Sequence, residues 1–325
     1  MVGISRLNMT DLARVAVLES IYCSGDAQGV TSLATPRSLR EATILVAAWF
    51  QLKNGEAAAQ VVASSAAWAG HNDGTALHGF CFYNRAEFVQ ALRMLRPVLQ
   101  QLDDALCLFA AGYSAIYTKD EDSYLAALER LDSLEGSNRY ASTLRAVTYF
   151  YAGRDKEAAH CAVQVVRQGA PYPLLQIACP ILAGWLGPKG AAEELERSPR
   201  TLGVQMALLM LYVGLEEKYT QIRELLRPVL KRVDPGGYFY IMGRYLDFRG
   251  RTGLAAEAFE EAFSNGYFDT AWDVMRGAIC IGRAGGVARA WELAQYAMKM
   301  APDDEQLAHY YKMVERNYLE HAGRG

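Results

Sequence analysis

The chain has 325 residues, of which 51% are hydrophobic and 21% charged, so it can bury a large core and does not have a disordered composition. Its 33 lysines and arginines against 36 acidic residues leave a net charge of −3, which argues against general nucleic-acid binding because such binding needs surplus cations. Six scattered cysteines without a CxxC pair favour a reducing, cytoplasmic setting, and no uncharged apolar stretch is long enough to span a membrane.

Helix is the structure that the composition favours. The chain is rich in alanine, contains ten prolines and has no segment of sustained β-type alternation. Near the N-terminus, apolar residues recur every three or four positions at Leu12, Val15, Leu18 and Tyr22, which predicts an amphipathic helix. We expect residues 1–40 to form an N-terminal helical cap.

Prolines mark the middle of the chain. The segment Leu226–Leu230 repeats Leu95–Leu99 almost letter for letter, and the proline in each should kink or restart a helix. Further prolines crowd around Gly184–Pro199, which is where we expect a break in the helical array.

Small residues recur at fixed points along the chain, with a period of roughly 27 to 36 residues. One such unit, residues 139–172, carries Ala146, Tyr149, Gly153 and Ala158. The clearest unit, starting at Gly236, carries Gly243, Gly250, Ala255, Phe259 and Ala262. The next unit carries Ala278, Gly285, Ala290, Ala297 and Pro302. Small residues at these points let paired helices approach closely, and glycine supplies the backbone angles that a turn requires.

These residues resemble the tetratricopeptide repeat. The resemblance implies an all-α fold, a right-handed α-α superhelix of helix-turn-helix repeats. On this pattern residues 41–302 hold about eight repeats, and the best matches are 139–172, 236–270 and 271–304. A last helix over 303–321 should cover the end of the array. The apolar stripe of that helix consists of Leu307, Tyr310, Val314 and Tyr318.

The resemblance also implies that the first helix of each pair lines a concave groove. Aromatic residues and arginine dominate the energies of many interfaces. The groove residues that we expect to contact a partner are Tyr140, Tyr151, Tyr240, Arg244, Phe248, Trp272, Met275 and Arg283. For a second, all-aliphatic set of groove positions, burial inside the molecule is the competing interpretation. That set consists of Leu174, Ile177, Val204 and Leu208.

No arrangement of residues in the sequence indicates catalysis. His78 with Cys81, and His160 with Cys161, are neighbouring nitrogen and sulfur pairs, but they do not assemble the four regularly spaced ligands of a structural zinc site. The glycine-rich segment 184–190 lacks the spacing of a phosphate-binding loop, so we expect a turn there. The prediction is therefore a protein without metal, cofactor or enzymatic activity.

Together these features predict a scaffold or adaptor that binds a protein or peptide, with an amphipathic helix laid in the groove. Two alternatives would use the same groove, namely a chaperone for a secreted or membrane-destined apolar segment and a regulator that senses a peptide. Self-association is a further alternative, because the terminal helices Leu12–Tyr22 and Leu307–Tyr318 keep apolar stripes.

Overall fold

The structure is a computed structural model, and it describes residues 11–32, 35–65, 70–134, 136–215 and 219–322. Within these ranges the regular structure consists of eighteen α-helices and two short 3-10 segments, without a strand, so the all-α prediction is confirmed. The first nine helices are α1 (Asp11–Ser24), α2 (Ala27–Thr31), α3 (Leu39–Gln51), α4 (Gly55–Ser65), α5 (His71–Asn84), α6 (Phe88–Leu95), α7 (Ala105–Thr118), α8 (Glu121–Ser133) and α9 (Asn138–Tyr151). The other nine are α10 (Asp155–Arg167), α11 (Tyr172–Glu196), α12 (Leu202–Val213), α13 (Tyr219–Leu225), α14 (Pro235–Phe248), α15 (Thr252–Ser264), α16 (Ala271–Arg283), α17 (Val287–Met300) and α18 (Glu305–Ala322).

Consecutive helices pack in pairs along most of the chain. The pairs that pack against each other are α3 with α4, α5 with α6, α7 with α8, α9 with α10, α14 with α15, and α16 with α17. The second helix of a pair also packs against the first helix that follows it, as α8 does against α9 and α15 against α16. The exact repeat boundaries and the handedness of the array stay predictions.

Glycines allow the paired helices to approach closely. A Cβ atom added to Gly243 of α14 would lie 3.0 Å from the ring of Phe259 on α15. At Gly277 of α16 it would lie 2.4 Å from the ring of Phe263. The turn between α14 and α15 needs a left-handed residue, which Gly250 supplies with φ of 68°. At Gly243 and Gly250 the small-residue pattern of the sequence therefore corresponds to the observed packing, whereas Gly277 is not part of that pattern.

The two repeated proline segments restart the chain in 3-10 geometry, as the sequence predicts. Helix α6 ends at Leu95 and the 3-10 segment Arg96–Gln101 follows it. Helix α13 ends at Leu225 and is followed by the 3-10 segment Pro228–Arg232. Proline cannot donate a backbone hydrogen bond, which is why neither α-helix continues through it.

The chain divides into two compact units, which we call the N-terminal unit (residues 1–211) and the C-terminal unit (residues 212–325). The break expected within Gly184–Pro199 is present as a kink in α11, where Gly187 has φ of 72° and Pro188 follows. The boundary between the compact units, however, lies after Leu211.

The N-terminal segment packs deeply into the N-terminal unit. Leu18 and Tyr22 of α1 are buried, so these two residues of the predicted stripe are not available for self-association. After α1, a Cβ atom on Gly25 would lie 2.5 Å from the backbone nitrogen of Gly203. This segment therefore connects distant parts of its unit, whereas the sequence predicts only a terminal cap. The side chain of Leu12 lies outside the described residues.

Five of the six free cysteines are buried, and burial raises the pKa of their thiols. The pKa rises to about 11 for Cys81 and to about 12 for Cys179 and Cys280. We expect these three thiols in the native protein at pH 8 to react with a thiol reagent at least about a hundredfold more slowly than in an unfolded chain, because only the thiolate reacts. Stopped-flow titration with and without denaturant measures this. Rapid reaction of several thiols in the native protein would contradict the buried packing.

Candidate functional site

The eight residues predicted to contact a partner fall in both compact units. Tyr140 and Tyr151 lie on α9 in the N-terminal unit. The other six lie on α14 and α16 in the C-terminal unit. The C-terminal unit therefore holds most of the predicted site.

Tyr240 and Met275 are core residues, which corrects their assignment to an accessible groove. Tyr240 is only 1% exposed, and its ring stacks on Tyr267 with 4.5 Å between the centroids. The Tyr240 hydroxyl donates to the Asp273 carboxylate. Burial and the nearby Asp273 raise the pKa of Tyr240, so this hydroxyl stays protonated. Side chains packed in this way stabilise the α14–α16 contact and are not presented to a partner.

Arg244 is half-buried and engaged within its own unit. One guanidinium nitrogen donates to the Tyr240 hydroxyl at 3.2 Å, and another donates to the carbonyl of Val213 at 3.3 Å. Its charge therefore supports the buried hydrogen bonds of α14. The prediction that it contacts a partner is untested.

Trp272 lies on the surface in a fixed orientation. Its side chain is 37% exposed, and its indole N–H donates to the Asp304 carboxylate at 2.9 Å. The same carboxylate caps α18 by accepting from the backbone N–H of Leu307 at 2.9 Å. The ring of Tyr310 packs edge-on against the indole, with 5.7 Å between the centroids. A large aromatic side chain is thus exposed but held rigid.

Basic side chains extend along α16 from Trp272. Arg276 and Arg283 follow it at i+4 and i+11, which places all three on one side of the helix. Both arginines are exposed, and among the described residues Arg276 makes no ion pair. A carboxylate oxygen of Asp247 lies 4.0 Å from Arg283, at the limit of an ion pair. Arg276 was missed in the sequence because the family resemblance assigns no groove role to its position. Its position four residues after Trp272, one helical turn away, is the sequence signal that could have identified Arg276.

Helix α18 adds apolar surface beside Trp272. Leu307 and Val314 of its predicted stripe are buried, whereas Tyr310 is 38% exposed. Met313, one turn from Tyr310, is 53% exposed and was not predicted. Together with Phe248 at the end of α14, which is also exposed, these side chains define what we call the Trp272 face. The face consists of Phe248, Trp272, Arg276, Arg283, Tyr310 and Met313.

In the N-terminal unit the N-terminal segment fills the surroundings of Tyr140. Tyr140 is buried, and electrostatic interactions link it with Cys23 in the last turn of α1 and with Arg40 at the start of α3. Its ring lies 5.9 Å from that of Phe109. Burial raises the pKa of Tyr140 despite the two neighbouring arginines, Arg40 and Arg139. Tyr140 is therefore a core residue, which corrects its assignment to the groove.

Tyr151, by contrast, is exposed and belongs to an aromatic cluster. Its hydroxyl donates to that of Tyr117 at 3.3 Å, and Tyr117 stacks on Phe88 with 4.2 Å between the centroids. Its contact with a partner stays a prediction.

Three of the four aliphatic groove positions are buried. They are Leu174, Val204 and Leu208, while Ile177 is half-buried. The competing interpretation, in which the molecule fills these positions itself, therefore agrees with the structure.

No group of three or more histidine, cysteine or acidic side chains comes together within the described ranges in a way that could hold a metal ion. In those same ranges, no helix has the length and apolar character needed to cross a bilayer.

The fold is defined by the succession of packed helix pairs, with Gly243 and Gly277 against aromatic rings of the adjacent helix. This is an all-α array of packed helix pairs, the architecture that the resemblance to the tetratricopeptide repeat implies. No protein-family model matches it, and no curated protein matches it.

Three of the solved structures that match the chain do so at low identity. The structure titled "Assembly Chaperone of RpL4 (Acl4)" is 11% identical, with a TM-score of 0.37 over 78% of this chain and 99% of that one. The APC/C hetero-tetramer Cut9-Hcn1 is 12% identical, with a TM-score of 0.34 over 97% and 77% of the two chains. Naa15/Naa10 bound to HypK-THB is 13% identical, with a TM-score of 0.27 over 96% and 60%.

Proposed function

We propose that the protein is a non-catalytic interaction scaffold whose Trp272 face binds an amphipathic helix of a partner protein. The observation that carries this proposal is the exposed Trp272 side chain, held in place by Asp304 and Tyr310. An anchor that is already ordered loses little conformational entropy when it binds.

The chemistry of the face favours a partner helix with one acidic flank. Tyr310 and Met313 extend the apolar surface of Trp272, and Arg276 and Arg283 lie along its edge. Tryptophan, tyrosine and arginine are the residue types that most often dominate binding energy. Trp272 and Arg283 are separated by about 16 Å along α16, which matches roughly three turns of a partner helix.

Binding of designed helical peptides tests the proposal. Two fluorescein-labelled peptides would share one leucine-rich face and differ only in carrying glutamate or lysine on the flank. We expect the glutamate-flank peptide to bind, and Trp272→Ala and Arg276→Glu each to weaken that binding at least about tenfold, or 1.4 kcal/mol. Fluorescence anisotropy gives the Kd.

Arg93→Glu on α6 is the matched control, because Arg93 is exposed and the change in charge is the same. It should leave the Kd unchanged. Failure of the glutamate-flank peptide to bind, or equal binding by wild type and the two face variants, would exclude the Trp272 face as the site. The cytoplasmic location and self-association stay predictions.

A further inference from the structure

The C-terminal unit has a second surface, formed by residues that do not belong to the Trp272 face. It is an open groove of about 960 Å³ lined by α14, α15 and the end of α16. Phe239, Met242 and Leu246 of α14 recur at i, i+3 and i+7 and form its apolar floor together with Leu254 of α15. We call this surface the α15 groove.

The floor of the α15 groove is incompletely covered by the protein itself. Leu254 is 53% exposed, and Phe239, Met242 and Leu246 are half-buried. Because α14 and α15 form an antiparallel hairpin, Leu246 lies towards the Leu254 end of α15 and Phe239 towards its other end. The stretch of α15 from Leu254 to Ser264 is about 15 Å long, enough for three turns of an added helix.

Acidic side chains form one wall of the groove. Glu257 and Glu261 are exposed at i and i+4 on α15, and neither makes an ion pair among the described residues. Like charges at this spacing repel each other on a helix. Glu260 is already paired, since Arg289 lies 3.3 Å from its carboxylate. The uncompensated charge of this wall is therefore negative and belongs to Glu257 and Glu261.

A cation marks one end of the groove. The Lys231 ammonium lies 4.4 Å from the centre of the Phe239 ring. Positive charge at the Phe239 end and negative charge along α15 give the groove a polarity. Because Phe239 lies towards the Ser264 end of α15, Lys231 is at the end of the groove that holds Glu261, and Glu257 is the acidic residue farther from it.

We propose that the α15 groove binds a basic amphipathic helix of a partner protein. Leucine-type side chains of that helix would cover the floor, and lysine or arginine residues one turn apart would pair with Glu257 and Glu261. The proposal goes beyond the Trp272 face, which selects the opposite charge. A protein with both surfaces could hold two different partner segments.

Charge reversal tests this inference with the same pair of peptides. We expect the lysine-flank peptide to bind the wild type, and Glu257→Lys combined with Glu261→Lys to weaken its binding at least about tenfold. Leu254→Asp should weaken it as well, since it places a charge on the apolar floor. In a Trp272→Ala background, the double charge reversal should create binding of the glutamate-flank peptide, because the groove then carries the opposite sign.

Two controls separate this proposal from the Trp272 face. Glu129→Lys on α8 makes the same change in charge as one of the two reversals, at an exposed site of the other unit, and should leave the Kd of the lysine-flank peptide unchanged. Trp272→Ala alone should also leave it unchanged. The proposal is overturned by failure of the lysine-flank peptide to bind, by wild-type affinity in the charge-reversed variant, or by loss of binding with Trp272→Ala. Circular dichroism melting of each variant confirms that the change in binding is not a loss of fold.

Discussion

Replacing Asp104 by alanine is expected to lower the free energy of unfolding of the N-terminal unit by about 3 to 5 kcal/mol. Asp104 is buried at the start of α7, and one carboxylate oxygen lies 3.1 Å from both the Arg40 guanidinium and the Thr43 hydroxyl. The other oxygen accepts from the backbone N–H of Cys107 at 2.8 Å. Removing the carboxylate therefore breaks a buried ion pair and a helix cap together.

The expected loss of stability in Asp104→Ala is large because the positively charged Arg40 stays in place. Arg40 keeps an ion pair with Glu19, but the side of the guanidinium that faced Asp104 would be buried without a partner. An uncompensated buried charge is costly because water can no longer solvate it. Asp104→Asn should cost less than Asp104→Ala, since an amide oxygen can still accept the hydrogen bond from Cys107 while the charge is lost.

Urea denaturation followed by circular dichroism measures the effect. The matched control is Asp132→Ala, which removes an exposed partner of Arg145, 2.6 Å away, and should cost less than about 1 kcal/mol. With two compact units the transition need not be two-state, so the comparison is made on the transition of the N-terminal unit. Equal losses for Asp104→Ala and Asp132→Ala would show that the Asp104 pair is not buried in solution.

The helix pairs could be predicted from the sequence because their signal is local. Gly243, Gly250 and Phe259 lie within one hairpin, so a fixed spacing along the chain records their packing. The prolines of the repeated segments act locally too, because each interrupts the helix that contains it.

The exposure of individual site residues could not be predicted in the same way. Tyr240 and Trp272 are both predicted groove residues on first helices, yet Tyr240 is covered by Tyr267, whereas Trp272 packs edge-on against Tyr310 and stays 37% exposed. What covers Tyr140 depends on the N-terminal segment, which is distant in sequence. Such contacts depend on the tertiary arrangement, so they produce no periodic pattern in the amino-acid sequence. Arg276 was missed for a different reason, because the family pattern gives its position no role.

Replacing Gly277 by alanine is expected to destabilise the C-terminal unit by about 1 to 2 kcal/mol, although alanine is the better helix former. The added methyl group would lie 2.4 Å from one ring carbon of Phe263 and 2.6 Å from another, which is closer than van der Waals contact allows. The ring cannot simply move away, because it is buried and stacks on Phe268 with 5.5 Å between the centroids. Thermal melting and urea denaturation measure the loss.

Gly253→Ala on α15 provides the opposite case. A Cβ atom there would meet no atom within 4 Å, so only the gain in helix propensity remains and we expect stabilisation of up to about 1 kcal/mol.

A double variant then identifies the cause of the loss at Gly277. Phe263→Leu removes ring atoms that the new methyl group would contact, so the cost of Gly277→Ala combined with Phe263→Leu should be smaller than the sum of the two single costs. Additive costs would mean that the two helices do not approach as closely as Gly277 permits, and the small-residue packing would then not explain the pairing of these helices.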